Sequence, residues 1–286
     1  PRLELWPGFI LFMVFSWIEL VWSGSEHPKQ LALIILAYSA LCWMGMAVYG
    51  RETWLKRGEV FSIVFSIFAR FSPLEVRKSH GGPYLRPYGS GLLSDQAPSF
   101  SLTILVLTML AIVTFDGFME TPIWLEIKIG IVSIPNLTPL LSIAQGTFGN
   151  LESILETIGL VTAPIAFLSV YFITCRIISW FDSAHQKPDH PPLTTNMAAR
   201  QFVLTLVPIA IAYHLAHYLS YFLIAGQLFI PLMSDPFGLG WDLFSTANYR
   251  INIGIINAKS VWHISIAVIV AGHMLAVYLA HVTALR

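Results

Sequence analysis

Stretches of about twenty apolar residues recur from one end of this chain to the other, and they limit its architecture more than any motif does. A hydrocarbon core ~30 Å thick is crossed by ~20 helical residues rising ~1.5 Å each. Six segments meet that demand: 5–23, 30–49, 99–119, 153–180, 198–226 and 260–283. Two more are apolar but compromised. Segment 58–71 is short and carries Arg70 near its end, and 129–145 is interrupted by Pro135 and Pro139. Both read as re-entrant or interfacial pieces, because irregular backbone survives at membrane depth only where protein or water satisfies it. The expectation is an all-α, polytopic transmembrane helical bundle. It has six full spans plus one or two partial segments, in a single integral membrane domain over 1–286.

Composition agrees. The chain is 56% hydrophobic and 11% charged, whereas soluble domains carry roughly 25% charged residues. The formal net charge of zero implies no nucleic-acid partner; the partner implied is a lipid bilayer. Cys42 and Cys175 both lie in apolar runs, which argues for neither a disulfide framework nor a zinc knuckle. The first residue is Pro1, no signal-peptide pattern follows it, and Leu5 enters a span almost at once. The expectation is the C-terminal part of a longer chain.

The basic residues supply an orientation. If 58–71 does not cross, Arg2, Arg51, Lys56, Arg57, Arg70, Arg77, Lys78, Arg86, Arg176, Lys187, Arg200 and Arg286 share one side. Lys29, Lys128, Arg250 and Lys259 share the other. The positive-inside rule then places both ends of this chain in the cytoplasm. Two loops stand out. Residues 77–99 are rich in Gly, Pro and Ser and lie on the cytoplasmic side. Residues 228–259 mix Gly and Pro with Trp and Phe and read as a lid on the outer face.

The stretch AYHLAHYLSYFLIAGQ (212–227) puts polar rings where a span needs apolar side chains. Of nine histidines, His27, His80, His185 and His190 lie in loops and read as solvated. His214, His217, His263, His273 and His281 lie in or at the ends of the last two spans. Ionisable groups there are costly unless paired, and are functional candidates by default. His214 and His273 are each near the middle of a span. His217 shares a helical face with His214, and Tyr218 and Tyr221 extend that stripe. If the two spans are antiparallel neighbours, the three central imidazoles share one depth. Asp116 and Glu120 in VTFDGFMETPIW (113–124) are four apart, and the orientation brings them to the same outer side.

Four readings of this seam stand open. Each imidazole can bond a backbone carbonyl or a tyrosine and do nothing else. His214, His217 and His273 can ligate a divalent transition metal (zinc, iron or copper), leaving a position for a nucleophilic water. Asp116 would then be a ligand-orienting group or base, and His263 an acid–base group at the outer rim. Facing histidines can instead hold haem or a pigment in a subunit of a larger respiratory or photosynthetic assembly. Lastly, the polar groups can line a proton or substrate path in a transporter or channel.

Other polar residues have simpler explanations. Glu19 is at a span end, and Glu59 and Arg70 lie near the cytoplasmic face. Glu152 and Glu156 begin a helix and complement its dipole. Asp235 in Ser-Asp-Pro reads as a turn former, with Asp242 nearby as a possible cation ligand. Trp6, Trp17, Trp22, Trp54, Trp124, Trp180 and Trp262 mostly mark span ends. There is no phosphate-binding Walker run, no Gly-x-Ser-x-Gly, no His-Glu-x-x-His and no Cys-x-x-Cys-His. This disfavours an ATPase, a serine hydrolase and a c-type cytochrome.

VTFDGFMETPIW, AYHLAHYLSYFLIAGQ, SDPFGLGWDLFSTANY and GHMLAVYLAHVTALR resemble the bacterial polytopic membrane family labelled fenitrothion hydrolase. The resemblance extends over most of the chain, including the first two spans. It implies a protein of the bacterial cytoplasmic membrane, a longer N-terminus, and hydrolysis of lipophilic, organophosphate-type esters. It assigns no residue roles.

Overall fold

The computed structural model describes residues 4–77, 82–93, 97–135, 137, 139, 142–143, 145–146, 150–184 and 192–286. The chain divides into two compact units. The first is Pro1–Val207 with Val277–Arg286, and the second is Pro208–Ala276.

The first unit is built around α5 (Phe100–Met119). Ser99 caps it, its hydroxyl accepting from the Leu102 N–H at 3.2 Å. The helix is apolar on every side, and protein encloses most of it: Leu105, Val106, Leu107, Met109 and Ala111 are all buried. Against it pack α1 (Trp6–Leu20), α6 (Pro122–Val132), α7 (Leu151–Ala184) and α8 (Thr195–Phe202). Gly159 lets α7 approach closely, since a Cβ there would lie 2.3 Å from the Phe115 ring. Trp124 fills the same corner, edge-on to Phe115 at 5.4 Å. Trp124 is thus a buried core residue, not part of an interfacial belt.

A turn at Gly50, whose φ of 82° suits glycine, reverses the chain after α2 (Pro28–Tyr49) into α3 (Arg51–Arg57). The Trp54 ring lies on Gly45, so α3 doubles back along α2. Glu59 then caps α4 (Val60–Ala69) by accepting from Phe61 N at 3.1 Å and Ser62 N at 2.6 Å. The same carboxylate accepts from the Tyr38 hydroxyl. Tyr38 is mid-helix, about 16 Å from the C-terminal end of α2. Segment 58–71 therefore returns beside α2, and at ten residues α4 is too short to span a bilayer.

The chain also makes one small sheet among the described residues. Strands β1 (Leu74–Arg77) and β2 (Gly82–Leu85) pair antiparallel inside the region expected to be irregular loop, with Leu74 opposite Leu85. Arg86 follows and gathers the ends of several elements. It pairs with Glu75 at 2.6 Å and donates to the carbonyls of Ser72, Ala69 and Arg70 at 3.0–3.2 Å. A guanidinium on the last carbonyls of α4 satisfies groups that the helix leaves orphaned. Arg200 donates to Pro98 O, and Arg286 to Leu93 O at 3.3 Å. Arg86 and the Pro98 and Leu93 carbonyls thus bring three arginines into this unit's hydrogen-bonded ends. Lys128 pairs with Glu152 at 2.5 Å and lies 3.9 Å from Glu156, so these acids have a partner beyond the helix dipole.

Among the described residues, five helical stretches are long and apolar enough to cross a membrane: Pro28–Tyr49, Phe100–Met119, Leu151–Ala184, Thr195–Ser234 and Ala258–Ala284. This is an integral membrane protein of mainly helical fold. The first expected span differs: α1 has 15 residues, opening at Trp6-Pro7 and ending before the turn at Ser23–Glu26. Much of the segment after Ile134, together with His80, His185 and His190, lies outside the described residues.

The second unit holds most of α9 (Val207–Ala225), the short α10 (Phe229–Ser234) and most of α11 (Ala258–Ala284). Within it, Gly272 lets α11 cross α9. A Cβ on Gly272 would lie 2.5 Å from Ala212 Cβ and 2.9 Å from Pro208 O. Seven residues earlier on α11, Ser265 donates to Ala216 O at 3.2 Å. The order of these contacts makes the two helices antiparallel, and the small residues are those that close helix approach in lipid requires.

Candidate functional site

Small residues at the crossing decide where the histidines go. Ala212 faces α11, and two residues on, about 200° round the helix, His214 faces away from it. Tyr218 and Tyr221 follow on that far side. His214 lies 6.3 Å from Tyr218 between ring centroids, and His217 meets the same tyrosine edge-on at 4.8 Å. His273 instead approaches Tyr213, at 6.3 Å. The expected three-histidine seam is therefore two groups: His214 and His217 around Tyr218, and His273 beside Tyr213. His263 is further along α11, edge-on to Trp262 at 5.1 Å. Asp116 belongs to the first unit, near the end of α5. Among the described residues, no group of three or more His, Cys, Asp or Glu side chains is placed to hold a metal ion.

A local regularity was not visible in the spacing. Nδ1 of His214 is 2.7 Å from Ala210 O, Nδ1 of His263 is 2.6 Å from Lys259 O, and Nδ1 of His273 is 2.8 Å from Ile269 O. Each ring bonds the carbonyl one turn back on its own helix. A carbonyl only accepts, so Nδ1 carries the proton and the neutral ring has its lone pair on Nε2. That is the posture in which histidine ligates, with the second nitrogen anchored to backbone. The bond costs the helix nothing, since that carbonyl keeps a second lone pair.

His263 and His273 are exposed on α11, alongside exposed Ile266, Val270 and Met274. On α9, His214 and His217 are half-buried, while Tyr221 and Phe222 are exposed. The α11 imidazoles thus lie on a largely apolar helix surface.

The loop over residues 228–259 is held by side-chain bonds to its backbone. Buried Gln227 donates to Leu223 O and Asn252 O and accepts from Tyr249 OH and Asn252 N, all within 2.9–3.1 Å. The Asp235 carboxylate accepts from Leu239 N at 2.8 Å and Gly240 N at 2.7 Å, as a turn former does. Asp242 accepts from the Ser234 hydroxyl at 2.9 Å and from Ala247 N at 3.0 Å. These bonds, the Ala247 N–H foremost, hold its carboxyl below the usual range. Asp242 is therefore a frame residue of the loop. The signal for this frame was the scatter of Gln, Ser and Asp between apolar residues.

Comparison with family models, curated proteins and solved structures gives no match.

Proposed function

We propose that this protein is an integral membrane subunit whose α9 and α11 hold a prosthetic group through single imidazoles, haem being the first candidate. The carrying observation is the shared posture of His214, His263 and His273, each with Nδ1 anchored to a backbone carbonyl. Axial ligation asks for one well-oriented Nε2 and an apolar surface beside it. Val270 and Met274, exposed on the helix that carries His263 and His273, supply that surface. A site of three protein ligands asks for convergence, which the described residues do not offer. When bound, haem would supply one-electron or oxygen chemistry. The chain's own part is to fix the tautomer, aim the ring and exclude water. An exposed imidazole on a span is costly against lipid, which favours a larger membrane complex as the setting.

Arg86, Arg200 and Arg286 favour a cytoplasmic location for the hydrogen-bonded ends they join in the first unit. On that orientation α3 and α4 form a re-entrant pair that enters from the cytoplasmic side, with Glu59 at its tip.

An absorption spectrum of protein purified from membranes tests the reading. A Soret or pigment band in the parent, lost or shifted in His273→Ala or His214→Ala, is expected. Absence of any such band overturns it. The hydrolase implied by the family resemblance, taken with the sequence reading of His214, His217 and His273 as metal ligands, predicts instead bound zinc, iron or copper without that band. The spectrum separates the two, and equal metal content in all three proteins removes the three-histidine metal site.

A further inference from the structure

The loop between α9 and α11 is built inside out. Several of its polar side chains bond back onto the backbone: Gln227, Ser234, Asp235, Asp242 and Thr246 together engage N–H and C=O groups from Leu223 to Asn252. Its large apolar side chains turn outward. Phe237 is 73% exposed and Ile253 76%, and Leu239, Trp241, Leu243 and Phe244 are exposed beside them. In water that arrangement forfeits the hydrophobic effect many times over.

We infer that this loop is an interfacial membrane element, seated at headgroup depth at the ends of α9 and α11 with its large apolar side chains dipped into lipid. The side chains take the Leu239, Gly240, Phe244, Ala247 and Asn252 N–H groups, whereas those of Phe237, Trp241, Arg250 and Ile253 have no partner among the described residues. Irregular backbone left open in this way stays where water reaches it, at headgroup depth, and not in hydrocarbon. Two observations select lipid over a protein partner. The apolar surface is continuous in sequence with the exposed face of the preceding span, running from Tyr221 and Phe222 through Leu228 and Phe229 into the loop. Charge is nearly absent: of the residues from 228 to 257, only Asp235, Asp242 and Arg250 are acidic or basic, and both carboxylates serve as backbone acceptors. Arg250 is long enough to reach phosphate headgroups by snorkelling. A loop so seated is not a lid over an aqueous site. It anchors the crossing of α9 and α11 at the interface, as amphipathic segments and aromatic belts do elsewhere. This holds whether or not the imidazoles ligate a prosthetic group.

The test places a nitroxide on Phe237→Cys, Leu243→Cys and Ile253→Cys in the full chain, in phosphatidylcholine and phosphatidylglycerol vesicles. Native Cys42 and Cys175 are buried and stay out of the labelling chemistry. Leu36→Cys, exposed in the middle of α2, marks lipid, and Ser183→Cys, exposed near the polar end of α7, marks water. Collision with oxygen should exceed collision with a water-soluble nickel chelate severalfold at all three loop positions, as at Leu36. A ratio like that of Ser183 would overturn the inference by placing the loop in water. Exclusion of both reagents would overturn it equally, by placing the loop against protein. The three sites lie on separate arms of the loop, so one misfolded variant leaves two to decide.

Discussion

Helices α5 and α11 have nearly the same mean hydropathy, 2.1 and 1.9 over their most apolar windows, yet 67% of the first window is buried and 17% of the second. Hydropathy says that a segment prefers hydrocarbon to water. It does not say whether protein or lipid supplies the hydrocarbon. The difference lies in what each helix offers its neighbours. α5 meets glycine at Gly159, an aromatic corner at Trp124 and a set of hydrogen-bonded ends, so other helices close around it. α11 meets α9 at Gly272 and Ser265 and turns imidazoles and apolar side chains outward. One helix is a core and the other a display.

The largest expected effect comes from removing what holds the core's end together. Arg86 is mostly buried, pairs with Glu75 and satisfies the last carbonyls of α4. Arg86→Ala takes the guanidinium away from Glu75, which keeps the Tyr84 hydroxyl, and from those carbonyls, so a loss of about 3 kcal/mol is expected. Thermal unfolding in detergent micelles, followed by circular dichroism, measures it. An unchanged midpoint would mean that the enclosure of α5 does not depend on this clamp.

Next comes packing itself. Leu105 is fully buried on α5, and Met274 is 68% exposed on α11. In a membrane the water-to-oil gain is absent for both, so truncation costs only lost contacts and the cavity. Leu105→Ala should then fall at the low end of the range for cavities, about 2 kcal/mol. Met274→Ala should cost less than about 0.5 kcal/mol, because mobile lipid fills the space. Equal losses would erase the distinction between core and display.

The crossing of the display helices should be more sensitive than their exposure suggests. Gly272→Ala drives a methyl into Ala212 and toward the Pro208 carbonyl, and a backbone atom cannot step aside cheaply. A loss of about 1 kcal/mol is expected from this overpacking. A neutral result would show that α9 and α11 separate freely.

Much of this was legible before any coordinates. The long spans follow from apolar length, and the partial character of 58–71 follows from its brevity and Arg70. The turn role of Asp235 follows from Ser-Asp-Pro. What could not be read was which face of a span turns where. Spacing put His214 and His217 on one face, correctly, since both meet Tyr218. It could not say that Ala212, two residues away, would take the contact with α11 and turn that face outward. The pairing of Lys128 with Glu152 was equally hidden, because it joins residues 24 apart through a reversal of the chain. Arg86 looked like one more basic residue in a loop, and only the hairpin before it gives it a position.

The smallest effect probes the loop, where the display region has its own internal order. The Asp242 carboxyl is held below its usual range by the Ala247 N–H and the Ser234 hydroxyl, against desolvation, with a lesser contribution from the Thr246 N–H. A carboxyl depressed in the folded state releases its proton there more readily than in an unframed loop. The stabilisation is therefore fully present above the unframed value near ~3.9, and it fades as pH falls through the framed value below that. Amide exchange at Ala247 and Phe244 should stay slow from neutral pH down to about 4 and quicken under more acid conditions, once the intrinsic rate is divided out. Asp242→Asn keeps one carbonyl acceptor but cannot titrate, so it should flatten that acid dependence while leaving the neutral-pH protection mostly in place. If the variant keeps the acid limb, the frame is opened by another group, and Asp235, whose carboxylate holds the adjoining turn at Leu239 and Gly240, is the next to substitute.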